Sequence, residues 1–212
     1  MNQVTKKKSA FSRKSASDRR QELIAAGIVC LGKGGMSAFT IDQICKQAGV
    51  SRGLINHHFK SKDDLLNCIY ADMTDHLLQD YDCSDARQLL VSIIETSFDE
   101  KSFNRSNLRA WLSIWGQVAS NATLNDLHRR RYGAYKSRIK NALADIASAN
   151  AGLFDVDSVA RQLIALIDGL WLEYCLHSSE FSLRAAKADC YHFLQAHGVI
   201  ILESLVNPDL ET

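Results

Sequence analysis

The chain has 212 residues, of which 46% are hydrophobic, enough to bury the core of one large helical domain or of a small head on a larger body. A single proline, Pro208, leaves long helices possible nearly everywhere and disfavours a fold rich in strands and turns. Residues 1–70 carry twelve Lys and Arg against five Asp and Glu (+7), whereas the rest carries thirteen against nineteen (−6). A polyanionic partner would therefore meet the front of the protein and be repelled by its back.

The cysteines and the hydropathy pattern exclude several classes of protein. Six cysteines lie far apart without a CxxC pair or zinc-type spacing, so we expect reduced, mostly buried thiols, no metal site and no bound cofactor. Cys175 and Cys190 each have a histidine two residues further on, but residues two apart on a helix point in different directions, so we expect no enzyme. No apolar run resembles a signal peptide or a membrane span, which predicts a cytoplasmic protein without membrane contact.

The first predicted helices follow a polar, basic arm over residues 1–16 that lacks apolar periodicity. Ser17 or Asp18 is predicted to cap a helix whose apolar residues recur at helical spacing until the glycine-rich segment 32–35 ends it. The next helix is predicted to begin after Thr40, which precedes Gln43 by the three positions of a capping box, and to run through Ala48.

The later helices alternate with short polar segments. Gly49 is predicted to stop the second helix, Ser51 to start a third of about eight residues, and Ser61 to cap a fourth. Five further helices are predicted at about 85–99, 105–119, 122–149, 156–178 and 183–205. The chain is therefore predicted to be an all-α fold of about nine helices.

Residues 48–51 have the features of a tight turn between two crossing helices: a residue that tolerates positive φ, flanking apolar residues and a cap for the second helix. Such a helix-turn-helix places its second helix in the DNA major groove. The polar side chains predicted to point outward from this recognition helix are those of Arg52, Asn56, His57 and His58. They can donate to guanine, adenine or phosphate, and Gly53 lets the backbone approach the groove closely.

Three stretches of the chain resemble the head of the TetR family of repressors, at residues 39–44, 48–53 and 58–66. The resemblance implies a three-helix DNA-binding head, a helical ligand-binding body, and dimers whose last two helices form a four-helix bundle. It also implies that Thr40 and Lys62 lie against phosphates, and Ser51 completes the predicted DNA-binding set. Many members carry a Tyr where His57 or His58 stands here, so the chain departs from the family at this point.

In the second half of the chain, aromatic residues recur at helical spacing around one acid. The residues concerned are Trp111, Trp115, Asp168, Trp171 and Tyr174. Asp168 lies within an apolar run, where a carboxylate is costly unless it is paired or functional. Aromatic rings beside an anion can hold a quaternary ammonium group, which donates no hydrogen bond and is attracted to ring faces. The alternative is that the three tryptophans are ordinary core residues.

Residues 98–100, 110–115 and 166–172 resemble stretches of the BetI-type repressors, which respond to choline and control glycine-betaine synthesis. The resemblance implies a repressor that a small-molecule effector releases from its operator, with choline or another quaternary ammonium compound as the effector. It also implies that the five residues named above form the ligand site.

The predicted division of the chain is a flexible basic arm at residues 1–16, a helix-turn-helix DNA-binding domain at 17–62, and a ligand-binding and dimerisation domain at 63–212. The last two helices carry apolar residues that can form core or a dimer seam, namely Leu163, Ile167, Leu170, Phe193, Leu194, Ile201 and Leu205. A symmetric homodimer would set two recognition helices about one turn apart on double-stranded DNA, which implies a near-palindromic operator and a place at the nucleoid.

Two alternatives keep the fold and change the signal. Some relatives bind DNA to organise chromosomes or to control division, without a metabolite ligand. A thiol in the head, that of Cys30 or Cys45, would instead make a redox-sensing regulator. Transporter or dehydrogenase genes beside this one would favour metabolite sensing, and full activity of a cysteine-free variant would exclude the redox sensor.

Overall fold

The computed structural model describes residues 15–79, 83, 85–99, 103–149, 154–177, 179 and 181–201, so the basic arm lies outside it up to residue 14. The described residues form nine helices and no strand, which confirms the all-α prediction. The helices are α1 (Ala16–Ala38), α2 (Ile41–Ala48), α3 (Arg52–His58), α4 (Lys62–Leu78), α5 (Ala86–Ser97), α6 (Arg105–Val118), α7 (Ala122–Ala149), α8 (Val156–His177) and α9 (Leu183–Ala196). None of them is long and apolar enough to cross a membrane.

The start of α1 lies earlier than predicted. Ser15, rather than Ser17 or Asp18, is the N-cap: its hydroxyl accepts from the backbone N–H of Asp18, whose carboxylate in turn accepts from the N–H of Ser15. The regular helix is interrupted in the glycine-rich segment, as predicted, because Gly34 and Gly35 have non-helical backbone angles and Gly35 adopts a positive φ of 63°. One further turn then leads to Ala38.

The helix-turn-helix has the predicted turn and the predicted side-chain cap at Thr40, but not one at Ser51. The Thr40 hydroxyl accepts from the backbone N–H of Gln43 at 3.3 Å and caps α2, which ends at Ala48 as predicted. Gly49 follows in the left-handed conformation, with φ 64° and ψ 39°, and reverses the chain. Ser51 then precedes α3, although its hydroxyl makes no cap hydrogen bond.

The predicted end of the last helix is wrong. Helix α9 ends at Ala196 because Gly198 takes a φ of 79° and the backbone N–H of Val199 turns back onto the carbonyl of Leu194 at 3.0 Å. This is a Schellman-type stop, which the buried side chain of Val199 completes. The predicted seam residue Leu205 lies outside the described residues.

One hydrophobic core runs through the three helices α1–α3, here called the head, and the five helices α5–α9, here called the body. Helix α4 joins the two, and the apolar residues along one of its faces are all buried, namely Leu65, Leu66, Ile69, Met73 and Leu77. Helix α1 also packs on α6 so closely at Gly32 that an added Cβ would lie 2.5 Å from the carbonyl oxygen of Ser106. The head is therefore tied to the body through α4 and through the contact of α1 with α6.

Candidate functional site

The outer face of α3 carries polar side chains. Asn56 and His57 are exposed and His58 is partly buried, while Ile55 is buried against the head. Gly53 is exposed, and an added Cβ there would meet nothing closer than the Ser51 hydroxyl at 3.9 Å. The helix has seven residues, one fewer than the prediction of about eight. It thus presents a short polar edge with room for close approach of another molecule.

Arg52, the first residue of α3, has an exposed side chain that is paired with an acid of α2. Its Nε donates to Oδ1 of Asp42 at 2.6 Å, and its Nη2 donates to Oδ2 of the same carboxylate. This contact pulls the pKa of Asp42 below its usual range. The sequence interpretation missed Asp42, because the pairing depends on how α2 and α3 cross.

Three further predicted DNA-binding residues lie at helix starts in or next to the head. Thr40 precedes α2, Ser51 precedes α3, and Lys62 is the first residue of α4. All three are exposed. Backbone N–H groups at helix starts and a lysine are the groups that phosphate oxygens accept from.

A pocket of about 290 Å³ that is open to solvent lies between α6, α7 and α8 and is lined by Trp115, Val118, His128, Tyr132 and Asp168; we call it the Asp168 cavity. The Tyr132 hydroxyl donates to Oδ2 of Asp168. The His128 ring stacks on that of Tyr132, with centroids 5.0 Å apart. The cavity therefore combines three aromatic rings with one carboxylate.

Burial shifts the pKa values of three side chains that line this cavity. It raises the pKa of Asp168, although the hydrogen bond from Tyr132 partly offsets this rise. It also raises the pKa of Tyr132. It also lowers the pKa of His128, which favours the neutral ring. Among the described residues Asp168 forms no ion pair, so its carboxylate has no cationic partner. The indole N–H of Trp115 is likewise buried without an acceptor among those residues.

Two of the five predicted ligand residues line a different cavity. Trp111 and Trp171, with Phe103 and Asp72, line a cavity of about 200 Å³ that reaches α1 and α4. The Trp111 ring lies between the two cavities, 5.7 Å from the Trp115 ring and 5.9 Å from the Trp171 ring. The structure thus brings the three tryptophans together but divides them between two spaces.

The fifth predicted ligand residue, Tyr174, lines neither of these cavities. Its ring packs on those of Phe103 and Phe181, at centroid distances of 4.7 and 5.3 Å. Two residues that line the Asp168 cavity, His128 and Tyr132, were missed in the sequence. They lie four apart and therefore on one face of α7, a spacing that could have indicated them.

A hydrogen bond connects the Asp168 cavity to α4. Nδ1 of His128 lies 2.7 Å from the hydroxyl of the buried Tyr70, whose ring also meets the edge of Trp111. One turn along α7 from His128, Arg131 donates to the carbonyl of Ala71, the residue after Tyr70, at 2.9 Å, and to the side chain of Thr74. These hydrogen bonds join the wall of the Asp168 cavity to α4, the helix between head and body.

Four of the six cysteines are buried, whereas Cys68 and Cys83 are partly exposed. Cys30 and Cys45 are buried, and burial raises the pKa of the Cys30 thiol, which disfavours the reactive thiolate. Burial also raises the pKa of Cys190, to about 12. Within the described part of the chain no three His, Cys, Asp or Glu side chains are grouped so that they could hold a metal ion.

The predicted dimer seam is core only in part, because Leu170, Phe193 and Ile201 are half-buried. Leu163, Ile167 and Leu194 are buried within the chain. The large apolar side chains that are exposed instead include Leu172 and Leu176, four residues apart on α8, at 44% and 61% of their surface. Ile200, just after α9, is exposed as well.

Comparison with known proteins agrees with both halves of this arrangement. The family model of the tetR family of bacterial regulatory proteins matches residues 23–69, and the model of the C-terminal domain of BetI-type transcriptional repressors matches residues 86–198. The HTH-type transcriptional regulator BetI of Serratia proteamaculans is 32% identical over 181 residues, which cover 80% of this chain and 87% of that protein. BetI of Yersinia pestis is 30% identical over 188 residues, covering 84% and 91%.

Solved structures share the fold. A crystal structure of a protein from Pseudomonas aeruginosa PAO1, assigned as a transcriptional regulator, has a TM-score of 0.77 at 33% identity and covers 88% of this chain and 93% of that one. A regulator from Saccharomonospora viridis, crystallised in complex with choline, has a TM-score of 0.72 at 22% identity, covering 84% and 96%. The chain belongs to the TetR family and is a DNA-binding transcriptional repressor of the BetI type, not an enzyme.

Proposed function

We propose that this repressor is released from its operator by a quaternary ammonium compound, choline in the first place, that binds in the Asp168 cavity. The observation that carries the proposal is the partly buried carboxylate of Asp168, which has three aromatic rings around it and no cationic partner among the described residues. Such a carboxylate is costly to the fold unless a ligand neutralises it.

The chemistry of the cavity fits a cation without hydrogen-bond donors. The rings of Trp115, His128 and Tyr132 offer faces to a trimethylammonium group, and the neutral state of His128 avoids repulsion. The indole N–H of Trp115 is buried without an acceptor among the described residues, and a rotation of the ring would bring it to a hydroxyl oxygen of the ligand. Choline has both groups. Glycine betaine carries a carboxylate that Asp168 would repel.

A relative supports this assignment. The Saccharomonospora viridis regulator with the same fold was crystallised with choline, and the C-terminal match of this chain is to the BetI-type repressors. The alternatives gain no such support: neither buried head cysteine is exposed to an oxidant, and no observation favours a regulator without a ligand.

The DNA side of the proposal uses the exposed edge of the head. Thr40, Ser51 and Lys62 bind phosphates at helix starts, whereas the outer residues of α3 read bases, namely Arg52, Gly53, Asn56, His57 and His58. The division of the chain into an arm, a DNA-binding domain at 17–62 and a ligand-binding domain at 63–212 is part of the same proposal.

Two copies are needed to read a near-palindromic operator. We propose that α8 and α9 form the homodimer, because Leu172, Leu176 and Ile200 are exposed there and would otherwise face water. An effector would then change the spacing of the two heads. The coupling between ligand and heads uses the hydrogen bond from His128 to Tyr70 of α4. The ligand shifts the equilibrium between two populated conformations of the protein.

A thermal-shift series on the purified protein tests the ligand class. A ligand that binds only the native state raises the melting temperature because it stabilises that state. At a concentration of one hundred times its Kd, the stabilisation is about 2.7 kcal/mol. We expect a rise with choline, a smaller one with tetramethylammonium, which lacks the hydroxyl, and none with glycine betaine. Equal rises with choline and betaine, or none with any cation, would contradict the proposal.

A further inference from the structure

The contact between Arg52 and Asp42 joins the two helices of the helix-turn-helix on its outer face. Asp42 lies in the first turn of α2 and Arg52 is the first residue of α3, and each side chain is 66% exposed. An ion pair this exposed contributes little to stability. The main consequence of this ion pair is therefore that it fixes the position of the Arg52 side chain.

The contact occupies one edge of the guanidinium group and leaves another open. Nε and Nη2 face the carboxylate, so that two of the five N–H donors are used. The remaining N–H groups of Nη1 and Nη2 include a parallel pair that points along the side chain. A pair of that geometry matches the O6 and N7 acceptors of guanine in the major groove.

We propose that Asp42 is a positioning residue that holds Arg52 for a bidentate contact with one guanine in each half of the operator. The inference rests on the proposed placement of α3 in the major groove, and it goes further by assigning the base and the residue that enforces the choice. Asp42 itself touches no base.

Two physical effects make the acid useful. A free arginine side chain loses rotamer entropy when it is fixed on a base, and Asp42 fixes it beforehand. A free arginine can also turn to a nearby phosphate, which any sequence offers, whereas Asp42 offers a competing carboxylate and repels the phosphate. The acid therefore lowers affinity for DNA of random sequence and raises the preference for guanine.

The test is selection from a random DNA library in vitro, which needs no known operator. Base-preference profiles are compared for the wild type, Arg52→Ala, Asp42→Ala and the double variant. Asp63→Ala is the matched control, because Asp63 lies in the first turn of α4, is exposed, and forms no ion pair within the described part of the chain. Thermal melts of all variants show whether each is folded.

We expect the wild type to prefer guanine at one symmetric position by roughly 5- to 150-fold. Arg52→Ala and Asp42→Ala should both lose this preference, at that position alone, and the double variant should lose no more than Arg52→Ala. Both acid-to-alanine variants should bind random DNA more tightly, but Asp63→Ala should keep the wild-type profile.

Three results would overturn the inference. An unchanged guanine preference in Asp42→Ala, together with its loss in Arg52→Ala, leaves Arg52 as a reader and removes Asp42 from the mechanism. Losses that add in the double variant would show that the two residues act separately. A wild-type profile in Arg52→Ala would remove Arg52 from base reading and contradict the proposed placement of the N-terminus of α3.

Discussion

At the scale of single residues, Asp168 shows how stability and ligand binding oppose each other. Its carboxylate accepts from one hydroxyl, that of Tyr132, and faces no cation in the described structure. Because burial raises its pKa above that of the unfolded chain, the folded state favours the protonated acid. This contribution to stability is complete below the unfolded pKa and is lost as the pH rises through the folded pKa.

Asp168→Asn should therefore stabilise the protein at neutral pH. The amide oxygen still accepts from Tyr132, but no charge is buried, so the free energy of unfolding should rise by on the order of 1 kcal/mol in urea denaturation. The same variant should lose the thermal shift with choline. Asp145→Asn, the same change at an exposed position of α7, is the control and should alter neither. A destabilised Asp168→Asn would assign the acid a structural role.

The pH dependence of choline binding follows from the same residue. Choline keeps its charge at every pH, so its affinity should depend on the ionised fraction of Asp168. Calorimetric titrations should be run from about pH 8 down to about pH 4, the ordinary pKa of an aspartate side chain. The affinity for choline should fall as the pH approaches the raised pKa of Asp168. Constant affinity over that range would mean that the cation does not meet this carboxylate.

Some of these residues could be predicted from the sequence and others could not. Asp168 was identifiable because a carboxylate within an apolar run is unusual. The spacing of Trp111 and Trp115 showed that they share a face, but not that a cavity lies on each side of that ring pair. Asp42 was hidden, because its partner comes from another helix and the angle between the two helices is set by the whole head.

At the scale of helices, the close contact of α1 with α6 constrains how the head packs on the body. Gly32 faces the backbone of Ser106, and a side chain there would displace it. Gly32→Ala should therefore destabilise the protein by about 1 to 3 kcal/mol, measured by urea denaturation.

The control for this substitution is Gly133→Ala in α7, where an added Cβ meets nothing within 4 Å. There the gain in helix propensity should stabilise the protein by up to about 1 kcal/mol. Equal and small effects of the two changes would show that α1 and α6 are not held together at Gly32.

Helix existence was predictable throughout, and helix ends were predictable where local chemistry decides them. The Thr40 and Ser61 caps and the turn at Gly49 were correct, since each depends on a few adjacent residues. The end of α9 was misplaced because the apolar pattern continues past Gly198, although the chain itself turns there. The start of α1 was missed because Ser15 and Ser17 are equally good caps, and the reciprocal bond with Asp18 decides between them.

At the scale of the whole molecule, the dimer needs an apolar surface that the single chain leaves uncovered. Leu176→Glu would bury two unpaired carboxylates in a symmetric seam, so the dimer dissociation constant should rise by roughly 100-fold or more. Sedimentation should show monomers, and operator binding should weaken in parallel. Ala134→Glu, an equal charge change at an exposed position of α7, should leave both unchanged. A dimer that persists in Leu176→Glu would place the interface elsewhere.

The uneven distribution of charge along the chain could be predicted from composition, but the packing of the helices could not. The positive front and negative back follow from counting residues, and they agree with a head that meets phosphates. Which apolar residues of α8 and α9 stay exposed depends on how these helices pack on the others, so Leu172 and Leu176 emerged only from the fold.

The most direct measurement is a choline titration of the repressor bound to fluorescent DNA taken from the selected library, followed by anisotropy. Choline should release the wild-type protein, whereas Asp168→Asn should bind the same DNA equally well without choline and stay bound when choline is added. If choline leaves the wild-type complex intact, or releases the Asp168→Asn complex just as well, the Asp168 cavity is not the site through which an effector controls this repressor.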